Sequence, residues 1–146
     1  MSPGYSNTPL VKKLGISPAA RVLAVHPPDE YQALLGELPS DVTFVRSVGD
    51  VPTLVHVFVT RRHDLEAHLV RMRDALQPDV PVWVSWPKKA SKVATDVTED
   101  VVRAVALPLG FVDVKVCAVS DVWSGLKLVV RLALRKPRRA SPDTVA

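Results

Sequence analysis

The densest run of side chains able to do chemistry is Ser85-Trp86-Pro87-Lys88-Lys89-Ala90-Ser91-Lys92. Three ammonium groups and two hydroxyls beside an indole can hold an anion, with Trp86 as a stacking surface. The run leads toward Thr95 and Asp96 ahead of a helical pattern, and helix N-termini favour negative charge. It lacks the glycines and fixed spacing of a phosphate-cradling loop, so it points to an anion and not specifically to a nucleotide. Ser85, Trp86, Lys88, Lys89, Ser91 and Lys92 are therefore the candidate ligand-binding residues. The expected occupant is a small anionic ligand or a protein partner.

His26, Thr60 and His63 fall near strand ends and are the candidate rim residues around that loop. His63 and Glu66 share a helix face, but no HxH or HxxxH spacing joins histidines to carboxylates, so no metal site is expected. His56 sits between Val55 and Val57 and reads as a satisfied sheet histidine. Cys117, in an apolar strand, reads as a small buried hydrophobe and not as a nucleophile. No residue is assigned a catalytic role, and no cofactor is expected.

These residues must be positioned by strands that alternate with helices. Arg21–His26 is a short apolar run, the pattern of a strand buried on both faces. Pro27 and Pro28 stop it, and Tyr31, Leu34, Leu35 and Leu38 mark one side of a helix that Pro39 closes. Val42–Val45 and Leu54–Thr60 are the next strands. Thr60 is a candidate cap for a helix carrying Leu65, Leu69, Met72 and Leu76 at steps of four, three and four. Val80–Trp86 is a further strand, followed by the lysine loop. Asp96 and Glu99 have capping-box spacing for a helix with Val97, Val101, Val102, Val105 and Leu109 on its apolar side. Val112–Val119 and Leu126–Leu132 close the body, joined by a predicted turn through Asp121, Trp123, Ser124 and Gly125. The pattern implies a single three-layer α/β domain of Rossmann type, mostly parallel, ending in an antiparallel strand pair. Only Arg46–Thr53 separates the second and third strands. Either that segment crosses as a bare loop or the second strand is not parallel.

The chain has 146 residues, room for one domain with a real core. Its 47% hydrophobic and 23% charged content excludes wholesale disorder. No apolar run approaches the roughly 18 residues of a membrane span, and the polar start does not read as a signal peptide. The single cysteine suits a reducing compartment, so a cytoplasmic location is expected. The net charge of +4 is uneven: Arg135, Lys136, Arg138 and Arg139 against Asp143 give the last segment +3, leaving the body nearly neutral. Residues 8–134 read as the folded domain, with flexible termini at 1–7 and 135–146. Nucleic acid, contacted by the lysine loop and this tail, ranks third among the expected partners.

The order of elements resembles a shortened class I S-adenosylmethionine-dependent methyltransferase domain. Leu14–Pro28 is similar to the lead-in and first strand of that fold, Asp74–Trp86 to a helix end and inner strand, and Leu109–Arg131 to its terminal antiparallel pair. Lys13-Leu14-Gly15 together with Trp123-Ser124-Gly125 further resembles small bacterial proteins of domain of unknown function 3052. The resemblance implies the fold and no established activity. It also exposes departures. Where methyltransferases use glycines to let backbone approach the cofactor, this chain has His26, Pro27 and Pro28. Where an acidic residue would accept ribose hydroxyls, it has Val45, Arg46 and Ser47. After Leu54–Thr60, where many of these enzymes place substrate residues, stand Arg61, Arg62 and His63. The expectation is a non-catalytic ligand- or partner-binding module. The alternatives are a methyltransferase or other enzyme with a relocated site around His26, His63 and Lys88, and a nucleic-acid-binding accessory protein.

Overall fold

The computed structural model describes residues 8–135; the expected termini at 1–7 and, after Arg135, at 136–146 lie outside the described residues. A six-stranded sheet runs in the order β2-β1-β3-β4-β6-β5. Its strands are β1 (Arg21–Val25), β2 (Thr43–Val45), β3 (Leu54–Phe58), β4 (Val82–Pro87), β5 (Phe111–Ala118) and β6 (Trp123–Val130). The first four are parallel, and β6 runs antiparallel to both β4 and β5. Every residue of β3 and β4 is buried, as expected of inner strands covered on both faces.

Alternation along those strands feeds two separate cores. On one face Val55, Val57, Val82 and Val84 meet Leu65, Leu69 and Met72 of α3 (Arg62–Ala75) and Val102 and Val105 of α4 (Glu99–Ala106). On the other, Leu54, Phe58 and Trp83 meet α1 (Leu10–Leu14) and α2 (Tyr31–Leu35). This is the three-layer α/β Rossmann-type domain with an antiparallel terminal pair that the sequence implies.

The structure corrects several local expectations. α2 stops at Leu35 and not at Pro39, because Gly36 adopts φ 78°, ψ −147°, a conformation that side chains with a Cβ disfavour. Arg46–Thr53 crosses as a bare loop with β2 parallel. Asp50 Oδ2 accepts from the N–H groups of Arg46 and Ser47, Arg21 donates to the Asp50 carbonyl, and Val48 packs on the α3–α4 core. Thr60 does not cap α3. Asp96 does, accepting from Arg62 N–H at 2.6 Å, so it is not available to a capping box with Glu99; Thr98 caps α4 instead. The predicted turn residues Trp123, Ser124 and Gly125 lie inside β6, paired with Pro87, Trp86 and Ser85. The turn falls earlier, where Ser120 Oγ accepts from the N–H groups of Val122 and Trp123.

Candidate functional site

The chain passes from β1 outward to β2, then back across β1 to β3 and β4, so the sheet order reverses between β1 and β3. In open α/β sheets, ligands lie outside the carboxyl ends of the strands at such a reversal. There the structure has a crevice of about 260 Å³ lined by His26, Phe58, Val59, Thr60, Asp64, His68 and Trp123. β1 delivers His26, β3 delivers Phe58 to Thr60, the first turns of α3 deliver Asp64 and His68, and β6 delivers Trp123. Asp64 and His68 are four residues apart on one helix and so share a face.

His26 holds φ 53°, the left-handed region, at a cost of about 1–2 kcal/mol for a residue with a Cβ. Such strain gathers where a side chain must be aimed. The imidazoles of His26 and His68 lie 5.5 Å apart between centroids, tilted by 56°. Partial burial lowers the pKa of His68, and the charges of His26 and Arg71 push the same way against the opposing pull of Asp64. Neutral imidazole at His68, the Asp64 carboxylate and the Thr60 hydroxyl therefore offer a small molecule both donors and acceptors beside the aromatic walls of Phe58 and Trp123. Among the described residues, no group of three histidine, cysteine, aspartate or glutamate side chains could hold a metal.

Two further openings flank the crevice. One, about 380 Å³, lies between the ends of β1 and β2 and is lined by Pro27, Pro28, Asp29, Tyr31 and Phe44. The other, about 430 Å³, is lined by Thr60, Arg61, Ala94, Thr95 and Asp96. It borders the N-terminus of α3, where the Asp96 carboxylate already occupies the position a bound anion would take.

Beneath the crevice runs a buried polar chain. Tyr31 Oη lies 2.9 Å from His56 Nδ1, and His56 Nε2 lies 2.7 Å from Ser85 Oγ. One His56 nitrogen donates and the other accepts, so either tautomer satisfies both hydroxyls. Burial pushes His56 down to about 3 and raises Tyr31, which keeps both neutral. Phe58 stacks on His56, and Tyr31 and Trp123 each meet Phe58 in a T-shaped contact.

The expected anion loop is thereby divided. Ser85 is fully buried and bonded to His56, and Trp86 is buried in the α3–α4 core, so neither faces solvent as a ligand surface. The β pleat decides both, since each is an inward position of a strand covered on both faces. Ser91 is turned inward on its own loop, donating to the Lys88 carbonyl and accepting from Val93 N–H. Lys89 and Lys92 are exposed and Lys88 is half-buried. The loop leaves β4 beside the crevice, Pro87 pairing with Trp123 and Lys88 N–H donating to the Val122 carbonyl. Of the rim residues, His26 and Thr60 enter the crevice and His63, exposed on α3, does not line it. Sequence reading missed His68, Asp64 and the partners of His56, Tyr31 and Ser85, while His56 itself is the satisfied sheet histidine expected. Asp64 and His68 are legible only as an i, i+4 pair at a helix start, a common pattern with no chemistry of its own.

No protein-family model matches the chain, and comparison with curated proteins gives no match. Solved structures do match in shape. A SAM-dependent methyltransferase from Aquifex aeolicus aligns with a TM-score of 0.58 at 13% identity, over 84% of this chain and 88% of that one. A putative type 11 methyltransferase from Sulfolobus solfataricus aligns at 0.57 and 12% identity, over 90% and 95%. Fibrillarin from Aeropyrum pernix, with natively bound S-adenosyl-L-methionine, aligns at 0.53 and 9% identity, over 80% and 69%. The molecule is a single Rossmann-like α/β domain. More narrowly, its fold is that of the class I SAM-dependent methyltransferases.

Proposed function

We propose that this protein is a non-catalytic binding module on a methyltransferase-like fold, taking a small ligand in the crevice of His26, Thr60, Asp64, His68 and Trp123. The observation that carries the reading is the crevice itself, formed at the reversal of the sheet and walled by a strained histidine. An anionic group on the ligand would reach outward to Lys88, Lys89 and Lys92, whose loop starts beside Trp123.

The residues present do not fit S-adenosylmethionine bound in the way the fold suggests. The end of β1 presents an imidazole and two prolines, which remove backbone N–H donors and add bulk where close backbone approach is needed. The first carboxylate after β2 in the sequence, Asp50, is spent on the N–H groups of Arg46 and Ser47. The module is proposed to be cytoplasmic, and the likeness to the small bacterial family is retained on Lys13-Leu14-Gly15 and Trp123-Ser124-Gly125. No helix among the described residues is long and apolar enough to cross a membrane.

Isothermal titration with S-adenosylmethionine and S-adenosylhomocysteine tests the reading. The expected result is no micromolar binding, and micromolar binding of either overturns it. Native mass spectrometry of the purified protein should show a co-purifying small molecule that His26→Ala and His68→Ala release. A second reading, an enzyme with a relocated site, is favoured by one observation: His26, His68 and Asp64 together can hold and pass a proton. Turnover lost in His68→Ala would select it.

A further inference from the structure

We infer that the free edge of β5 is a docking strand for an extended segment of a partner protein that alternates acidic and apolar residues. Among the described residues β5 has one strand neighbour, β6, so alternate N–H and C=O groups along it face outward, interrupted by a register shift between Asp113 and Lys115. Val114 and Val116 on it are 53% and 50% exposed. The two faces of this edge differ in character. Val116 pairs with Leu126, an α3–α4 core residue, so it lies at the margin of that apolar face. Lys115 pairs with Lys127, and Lys127 pairs in turn with Trp83 on the opposite face.

Two lysines directly opposite each other repel, and among the described residues no ion pair offsets this one. No described carboxylate forms an ion pair with either. Lys13 of α1 adds a third cation there, donating to the Ala118 carbonyl. Both Lys13 and Lys115 lie close enough to Cys117 to act on its thiol. An added strand has side-chain period two, so acidic residues would meet Lys115, Lys127 and Lys13 while apolar residues meet Val116. Charge also rejects a second copy of this chain. Antiparallel pairing of two β5 edges would keep like faces together and gather the lysines of both copies. Nucleic acid is disfavoured because Trp83, the tryptophan paired with Lys127, is fully buried and offers no stacking platform.

The test is fluorescence anisotropy of the full chain with a labelled, capped peptide that alternates valine and glutamate over the length of β5. Binding is expected, weakened about tenfold by the Lys115→Glu/Lys127→Glu double variant. It should be abolished when alternate peptide amides are N-methylated, which removes strand pairing and leaves the charges. The double variant exchanges one like-charge cross-strand pair for another, and circular dichroism should show it folded. Absence of binding overturns the inference, as does binding that survives N-methylation. A single-stranded oligonucleotide that binds as tightly and responds equally to the double variant would make the surface a general polyanion site and also overturn it. Dimerisation through β5 in sedimentation, competed by the peptide, would assign the edge to a second copy and overturn the inference as well.

Discussion

Replacing His56 with phenylalanine probes the buried chain under the crevice in two separable ways. The first is at neutral pH. The ring fits the aromatic stack with Phe58, but the Tyr31 and Ser85 hydroxyls lose their partner in a fully buried site. Each unsatisfied hydroxyl costs about 1–3 kcal/mol, so the variant should lose roughly 2–6 kcal/mol. The triple variant Tyr31→Phe/His56→Phe/Ser85→Ala removes the stranded groups and should recover most of that loss. The second effect is on pH dependence. His56 titrates near 3 in the folded protein and near 6.5 when unfolded. Between those values the unfolded chain binds the extra proton, so stability is full above about 6.5 and falls as pH drops, by up to about 1.36 kcal/mol per unit. From pH 7 to pH 5 that amounts to about 2 kcal/mol, a large share of the 5–15 kcal/mol typical of a domain. Urea unfolding at pH 7, 6 and 5 measures both effects. The wild type should lose about 2 kcal/mol more over this range than the triple variant, because the other titrating group removed, Tyr31, stays protonated between pH 5 and 7 in both states. Parallel pH profiles would refute the reasoning, since they would mean that His56 accepts a proton without unfolding.

Asp96→Ala should destabilise by about 1 kcal/mol in urea unfolding through loss of the α3 cap. Glu99→Gln, at the residue expected to complete a capping box, should not cost the α4 cap, because Thr98 supplies it. Gly125→Ala brings a Cβ to 3.0 Å from Val119 Cγ2 and 3.4 Å from Trp83 Cε3, and should lower stability by about 1–3 kcal/mol in the same assay. Leu69→Ala, at a fully buried position against the sheet, should cost about 2–5 kcal/mol, read as a fall in the urea midpoint with an unchanged slope.

Strand positions were legible because burial on both faces leaves continuous apolar runs such as Leu54–Phe58 and Val82–Trp86, whose period and length suffice to place them. The same runs hid the site. A short window around Ser85 shows a hydroxyl and an indole next to lysines, and local sequence suggests a shared surface. The pleat instead sends Ser85 to one covered face and Trp86 to the other, and only the residues after Pro87 reach the rim. The crevice was partly legible, since strand ends mark ligand sites in open sheets, and His26 and Thr60, read as rim candidates, do line it. His68 lay beyond reach because its place comes from the tertiary contact that sets it beside His26 at the end of β1, which no spacing within the chain records. The caps failed for a related reason. Asp96 has the spacing to cap its own helix, yet the chain between Thr60 and Asp96 folds back so that it caps the preceding one.

The tripeptides Lys13-Leu14-Gly15 and Trp123-Ser124-Gly125 are far apart in the chain and meet on one residue, Trp83. The Leu14 carbonyl, left without a helical partner as Gly15 ends α1, accepts the Trp83 indole N–H at 2.9 Å inside the core. From the other side, Gly125 leaves room for the same ring, its missing Cβ site lying 3.4 Å from Trp83 Cε3. Lys13 reaches over to the Ala118 carbonyl, and Trp123 meets Phe58 in a T-shaped contact at the crevice floor. A buried indole N–H must be satisfied and a large ring must be accommodated, so these positions constrain one another through Trp83. The motif therefore has a packing explanation that asks for no ligand. Only Trp123 serves both roles, as the one motif residue that also lines the crevice. Trp123→Phe separates them: an aromatic ring remains against Phe58, so stability should fall by less than the roughly 3–5 kcal/mol of a full truncation to alanine while ligand retention at His26 and His68 drops. Equal loss of both would return Trp123 to the packing of the sheet and leave the histidine wall alone as the basis of binding.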